Sequence, residues 1–407
     1  MKCRHCAADV TLEFLDLGNA PPSNAYLTTD NLRKPEITFP LRILTCENCW
    51  LVQTEDYTDA DALFDDDYAY FSSTSKGWLK HAEQYCEMIT EKLGLDASSF
   101  VVELASNDGY LLKNFVKAGI PCLGVEPTKS TAQASRDIGV PTKEAFFGTD
   151  LAREMVGAGQ TVDLILGNNV YAHVPDINDF TQGIEQVLKP DGVVTLEFPH
   201  LMQLLGLNQF DTVYHEHFSY LSLLAVTAIF DAAGLRVFDV EELPTHGGSL
   251  RVYGCKKSSA HEEQASVAKL LTAERDAGLM NAETYSAFQG QADKVKDDFV
   301  RFLLDAKRDG KTVAGYGAAA KGNTLMNYAG VRPDVLPFVC DAAPSKIGKF
   351  MPASHIPILA PSALFEQRPD YVVILPWNIA AEVMAQNKEL ADKGTKFVVA
   401  VPELRIL

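Results

Sequence analysis

Apolar and polar positions fall into one repeating unit through the middle of the chain. In "SSFVVELASNDGYLLKNF" an apolar run gives way to small polar residues and then to apolar positions three and four apart. That order predicts a buried strand, a turn and an amphipathic helix. "IPCLGVEP" repeats the strand and ends it at Glu126; "VDLILGNNVYAHV" ends another at Asn168 and Asn169; "VLKPDGVVTLEFP" reads as a helix end, a turn and a further strand. Alternating elements of this kind predict a mostly parallel, doubly wound α/β sheet that takes ligands at the carboxyl ends of its strands.

A second unit of the same type closes the chain. Beyond "THGGSLRVYG" (245–254) a charged stretch predicts helix to about residue 309, and "KTVAGYGAAAKGNTL" then predicts strand, turn and helix. "PFVCD" ends a strand at Asp341, and "YVVILPWN" ends one at Trp377 and Asn378. A chain of 407 residues exceeds one ordinary core. The pattern divides it into a small module at 1–78, a central domain at 79–248 and a C-terminal domain at 249–407.

Composition narrows the partners. A net charge of −18 argues against nucleic acid, which needs clustered Lys and Arg, but leaves room for a small phosphate ligand in one basic pocket. The chain shows neither a signal peptide nor an apolar run of membrane-spanning length, so a cytoplasmic protein with no membrane partner is expected.

Four of the eight cysteines sit in two knuckles, Cys3-x-x-Cys6 and Cys46-x-x-Cys49, with 39 residues between them. Each knuckle aims two thiolates at one point, and two knuckles complete an all-sulfur shell for zinc. Such a shell has no open position for substrate, so this zinc is expected to be structural. Four reduced core thiols or a redox pair are the alternatives, and His5 could stand in for one thiol.

The turn after the first central strand, Glu103-x-Ala105-x-Asn107-x-Gly109, has one glycine where a pyrophosphate loop wants several. With Glu126 placed to accept ribose hydroxyls, it suits a nucleoside without phosphates. The C-terminal turn, Gly315-x-Gly317-x-x-Ala320, fits the dinucleotide pattern better, with Asp341 24 residues past Gly317. Lys321 at the helix start, Lys346, Lys349, Trp377 and Asn378 instead suggest a pocket for phosphate and base. "YHEH" gathers His215, Glu216, His217 and Tyr214; a metal site, an acid/base site and a polar loop are all open, with acid/base chemistry favoured.

The central turn, Glu126 and "VLKPDG" resemble class I S-adenosylmethionine-dependent methyltransferases, with Ala105 in place of the usual first glycine. The knuckles, "YAYFSSTSKGW", "ELASNDGYLL", "YHEH", "THGGSLRVYG", "GYGAAAKGNTL" and "LPWN" together resemble the C-methyltransferases that alkylate nucleotide-linked 4-keto-deoxysugars, mostly at carbon 3. The resemblance implies a cofactor site at Glu103, Ser106, Asn107, Gly109, Glu126, Pro127, Asn168 and Asn169. It implies His217 as general base, with Tyr214, Glu216, Tyr68 and His173 around it. It also implies a nucleotide-sugar site at Lys321, Gly322, Asn323, Asp341, Lys346, Trp377 and Asn378, on a monomer or weak homodimer. An O- or N-methyltransferase, a nicotinamide oxidoreductase working through Gly315 and Gly317, and a zinc-stapled nucleotide-sugar binding protein are the rival expectations.

Overall fold

A computed structural model describes residues 1–57 and 71–407. The N-terminal strands are β1 (Leu12–Ala20), β2 (Phe39–Thr45) and β3 (Val52–Thr54), paired antiparallel in that order. The central strands follow as β4 (Val101–Leu104), β5 (Cys122–Glu126), β6 (Thr142–Glu144), β7 (Val162–Asn168) and β8 (Leu188–Pro199). After β9 (Ser219–Tyr220) come β10 (Leu235–Leu243) and β11 (Ser249–Lys256).

The seven-stranded sheet has the order β10-β11-β8-β7-β4-β5-β6. Strands β8, β7, β4, β5 and β6 are parallel, and β11 runs antiparallel to both β8 and β10. The expected doubly wound sheet is therefore present, with an antiparallel hairpin on one side. Strand β11 pairs residue by residue with β8, from Ser249 opposite Pro199 to Cys255 opposite Val193. The central sheet thus reaches to Lys256, beyond the division expected at 248.

The charged stretch forms three helices, Ala265–Asp276, Ala282–Ser286 and Phe288–Arg308, rather than one. Gly278 turns left-handed at φ +83°, and the Asn281 side chain then accepts from Glu283 N to start the next helix. The last helix buries Phe288, Ala292, Val295, Phe299, Leu303 and Ala306, spaced three and four apart on one stripe. Strands β12 (Val313–Tyr316), β13 (Val339–Cys340), β14 (Ile358–Leu359), β15 (Tyr371–Ile374), β16 (Lys396–Val399) and β17 (Arg405–Ile406) make the third sheet, in the order β14-β13-β12-β15-β16-β17. Its first five strands are parallel and β17 is antiparallel.

The N-terminal segment is wedged between the two larger units. Leu44, Cys46 and Leu51 join the core of the central sheet, whereas Phe14, Leu15 and Ile43 join the core of the C-terminal unit. Phe14 stacks on Phe288 with ring centres 4.8 Å apart. Strand β9 leaves the central domain and pairs with β3, through Val52 opposite Tyr220 and Gln53 opposite Ser219. Among the described residues, no helix is long and apolar enough to cross a membrane.

Glycines of the C-terminal turn serve packing. A Cβ on Gly315 would lie 2.8 Å from Val339, one on Gly317 2.4 Å from Pro376, and one on Gly322 2.8 Å from Leu375. Gly317 also has φ +88°, where a side chain is strained. Replacing Gly317 with Ala is expected to cost about 1–3 kcal/mol through that conformation and the Pro376 contact. Urea unfolding checks it, and an unchanged midpoint would contradict the packing role.

Candidate active site

The carboxyl ends of both parallel sheets open on one cleft of about 430 Å³. From the central sheet it is lined by Ala105 and Asn107 after β4, Glu126, Pro127 and Thr128 at the end of β5, and Asn168 and Asn169 at the end of β7. Ala319, Ala320 and Lys321 after β12, Pro376 and Asn378 after β15, and Lys346 line the opposite side. Between the two lie His173, Tyr214, Glu216 and His217. The structure brings most of the expected residues into one space.

On the cofactor side, the Glu126 carboxylate accepts from Asn107 N at 2.8 Å, Thr128 N at 3.0 Å and Thr131 Oγ1 at 3.0 Å. Burial raises its pKa against those hydrogen bonds. Asn168 Nδ2 and Asn169 Oδ1 are buried without a protein partner, so polar atoms remain for a ligand. Ala105, Asn107, Asn169 and His246 all line the cleft with φ between 49° and 55°. Backbone strain of that kind concentrates at ligand sites.

Three expected cofactor residues lie beneath the loop. Glu103 is buried and outside the lining; burial first, then Glu126 and Asp108, push its pKa well up. Ser106 packs on Gly124, where a Cβ would come within 2.3 Å of its Oγ, and Gly109 makes the corresponding approach to Ser135 at 2.6 Å. None of the three is part of the cleft lining.

The "YHEH" segment forms a β-turn closed by His217 N donating to Tyr214 O at 3.0 Å. The turn sends the two histidines apart, whereas an extended segment would have put them on one face. His215 Nε2 meets Pro40 O at 3.2 Å beside Phe39. His217 faces the cleft, and its Nδ1 donates to the Thr212 carbonyl at 2.9 Å, leaving Nε2 with a free lone pair. Tyr214 lies 4.0 Å from the His217 ring and His173 4.6 Å, centre to centre. Asn24 Nδ2 donates to both Glu216 oxygens at 2.7 and 2.9 Å. Tyr68 lies outside the described residues.

On the far side, Lys321 lies 4.7 Å over the Trp377 ring and donates to Asn378 Oδ1 at 3.3 Å. Trp377 Nε1 donates to the buried Asp211 at 2.8 Å, and burial raises that carboxyl to about 6. Lys346 donates to Ala318 O at 2.8 Å. Asp341 accepts from Ala318 N and Ala343 N, at 2.7 and 2.8 Å. Gly322, Asn323, Asp341 and Trp377 are not part of the lining, and Asn323 donates instead to Ser23 O at 2.7 Å.

Cys3, Cys6, Cys46 and Cys49 come together as expected, their sulfurs all within 4.8 Å of one another. The Cys3–Cys49 and Cys6–Cys46 separations are both 3.6 Å. A tetrahedral shell with bonds of about 2.3 Å needs about 3.8 Å, so the set fits zinc. Among the described residues this is the one cluster of three or more metal-ligating groups; His215 and His217 form none.

Three family models match the chain in tandem: a "Putative zinc binding domain" over residues 3–64, a methyltransferase domain over 78–240 and a C-methyltransferase C-terminal domain over 244–402. The C-methyltransferase NovU of Streptomyces niveus is 35% identical over 406 residues, 100% of this chain and 96% of the relative. The chain belongs to the S-adenosylmethionine-dependent C-methyltransferase family. An uncharacterised methyltransferase of Mycobacterium leprae is 31% identical over 98 residues, 24% of this chain and 36% of that one. A magnesium protoporphyrin IX methyltransferase of Synechocystis has TM-score 0.35 and 13% identity, covering 44% of this chain and 84% of its own. In this C-methyltransferase the seven-stranded sheet is the class I cofactor domain, and S-adenosylmethionine and structural zinc are its two groups.

Sequence reasoning missed Asn24, Trp78, Phe147, Thr212 and His246, which also line the cleft, and Asp211, which accepts from Trp377. His246 and Trp78 stood inside motifs that had been noticed; Asn24 is 192 residues from Glu216 and gave no local signal.

Burial is the first cause that lowers the pKa of three cleft histidines, taking His173 and His246 to about 4 and His217 well below the ordinary value. Below about pH 6.5 the unfolded chain takes up protons that these folded rings refuse, so they withdraw stability as pH falls from about 6.5 toward 4. Histidine-selective NMR at about pH 5.5 is expected to show all three rings neutral, where an unperturbed ring is mostly protonated. Titration near 6.5 would contradict their burial.

Proposed function

We propose that this C-methyltransferase alkylates carbon 3, next to the ketone, of a nucleotide-diphosphate-linked 4-keto-deoxysugar. The observation that carries the proposal is that Glu126, His217 and Lys321 all line one cleft. It offers a nucleoside subsite at one end, a buried base in the middle and two lysines at the other.

A carbon–hydrogen bond beside a ketone is weakened because the electron pair left behind spreads onto the carbonyl oxygen. In the proposed step Nε2 of His217 takes that proton and the pair moves into the enolate. Positioned proton transfer contributes roughly 10²–10⁴-fold. Burial keeps the ring neutral and its lone pair available, but also makes it a weak base, so the developing oxyanion needs a donor. The Tyr214 phenol beside the ring is assigned that role, with His173 as a further neighbour. Asn24 holds the Glu216 carboxylate at the cleft lining. Glu126, Asn107, Asn168 and Asn169 would hold S-adenosylmethionine, which would supply an electrophilic methyl to the enolate carbon while the pair of the broken carbon–sulfur bond stays on sulfur. Lys321 and Lys346 meet the diphosphate. After the carbonyl re-forms, His217 returns its proton to water.

His217→Asn preserves a donor toward Thr212 while deleting the base. Turnover is expected to fall by at least about 10²-fold with unchanged calorimetric affinity for S-adenosylmethionine. Mass spectrometry after incubation with a panel of 4-keto nucleotide sugars tests the substrate class: one added methyl on carbon supports it. Methylation on oxygen or nitrogen, or none across the panel, would remove it.

A further inference from the structure

The zinc knuckle reaches the reaction cleft through one side chain. Arg4 lies between Cys3 and Cys6, and its side chain is only 6% exposed. Nη1 donates to Pro175 O at 2.7 Å; Nη2 donates to Thr54 O at 3.0 Å and to Asp56 Oδ1 at 2.8 Å. The guanidinium also lies 5.3 Å from the centre of the Phe218 ring.

These contacts join the two backbones that carry the cleft histidines. Pro175 ends the segment that presents His173, Val174 and Pro175 to the cleft. Thr54 ends β3, and its hydroxyl donates to the carbonyl of His217 while its N–H donates to Phe218 O at 3.1 Å. The segments also touch directly, through Phe218 N donating to Ala172 O at 2.8 Å, the His173 and His217 rings 4.6 Å apart, and His173 bonded to the Glu216 backbone. Arg4 adds the bond on the outer side, away from the cleft.

The knuckle fixes where Arg4 starts. Cys3 O accepts from Ala7 N at 3.0 Å, and Arg4 N donates to Gln53 Oε1 at 2.9 Å. Asn178 Nδ2 donates to the carbonyls of Arg4 and His5 at 3.2 and 2.8 Å, and Asn178 Oδ1 faces His5 Nδ1 at 2.8 Å. A metal holding Cys3 and Cys6 therefore holds the base of a side chain that ends on the backbones leading to His173 and to His217.

We propose that Arg4 is a positioning residue, through which the zinc knuckle sets the spacing of His173 and His217. The proposal rests on the reading of His217 as the base. A misplacement of about 1 Å can cost on the order of 10²-fold in rate, so the outer bond matters even though Arg4 touches no substrate. It also gives the structural zinc a consequence for turnover.

The test compares the full-length, zinc-loaded protein with Arg4→Met and Arg4→Lys. Arg4→Met keeps the apolar stem; Arg4→Lys keeps a charge that can reach one carbonyl. Arg4→Met is expected to retain its zinc by elemental analysis and its affinity for S-adenosylmethionine. With the panel sugar that wild type methylates, its kcat should fall on the order of 10²-fold at little change in KM, and Arg4→Lys should recover part of the loss. Without substrate, the His217 ring signal should change from the single Nδ1–H form to a mixture. Wild-type kcat in zinc-loaded Arg4→Met, or a loss of kcat with the His217 signal unaltered, would overturn the assignment. Should Arg4→Met fail to fold, Arg4→Lys read by the same ring signal decides. Full turnover in His217→Asn would remove the base and leave the ring signal of Arg4→Met to judge the positioning separately.

Discussion

A carbonyl oxygen can only accept, and Thr212 offers one to Nδ1 of a ring that is 8% exposed. That constraint places the single hydrogen of a neutral imidazole on Nδ1 and directs the free lone pair of Nε2 at the cleft. Burial then keeps the second proton off. The surrounding fold serves this arrangement: a β-turn reverses the chain just before His217, Thr54 holds its carbonyl, and β9 continues at once into the N-terminal sheet. His217 is gripped by two parts of the chain that are far apart in sequence, its own stretch from Thr212 to Tyr220 and strand β3.

The zinc module differs in this light from a detachable domain. Its residues are split between two cores, so neither large unit packs fully without it. The two α/β units also meet directly, where Leu204, Phe210 and Val213 join the C-terminal core and Trp377 Nε1 donates to Asp211, and the wedge adds rigidity to the cleft between them. Four thiolates supply rigidity in a segment that has too few apolar residues of its own.

Much of this was legible in sequence, for physical reasons. Strands end where apolar runs end, so Glu126, Asn168 and Asn169 were placed at strand ends before any coordinates. The cysteine pairs were legible because knuckle spacing fixes where sulfur points. Other features depend on tertiary approach and leave no local trace. Asn24 meets Glu216 across 192 residues, and Gly109, Gly315 and Gly317 owe their identity to neighbours packed against them. The turn at residues 214–217 separated His215 from His217, where extended backbone would have kept them together. The charged stretch reads as helical, and its division into three helices, at Gly278 and again at Ala287, is seen only in the structure.

The central claim is that His217 removes a proton from carbon before any methyl moves. Solvent-deuterium exchange at the position next to the ketone, followed by NMR in the absence of S-adenosylmethionine, measures that step alone. The account predicts enzyme-dependent incorporation of deuterium at that one carbon, abolished when residue 217 is asparagine in a protein that still binds the sugar nucleotide. Undiminished incorporation in that variant would contradict it, as would a lack of exchange in an enzyme that methylates the same sugar.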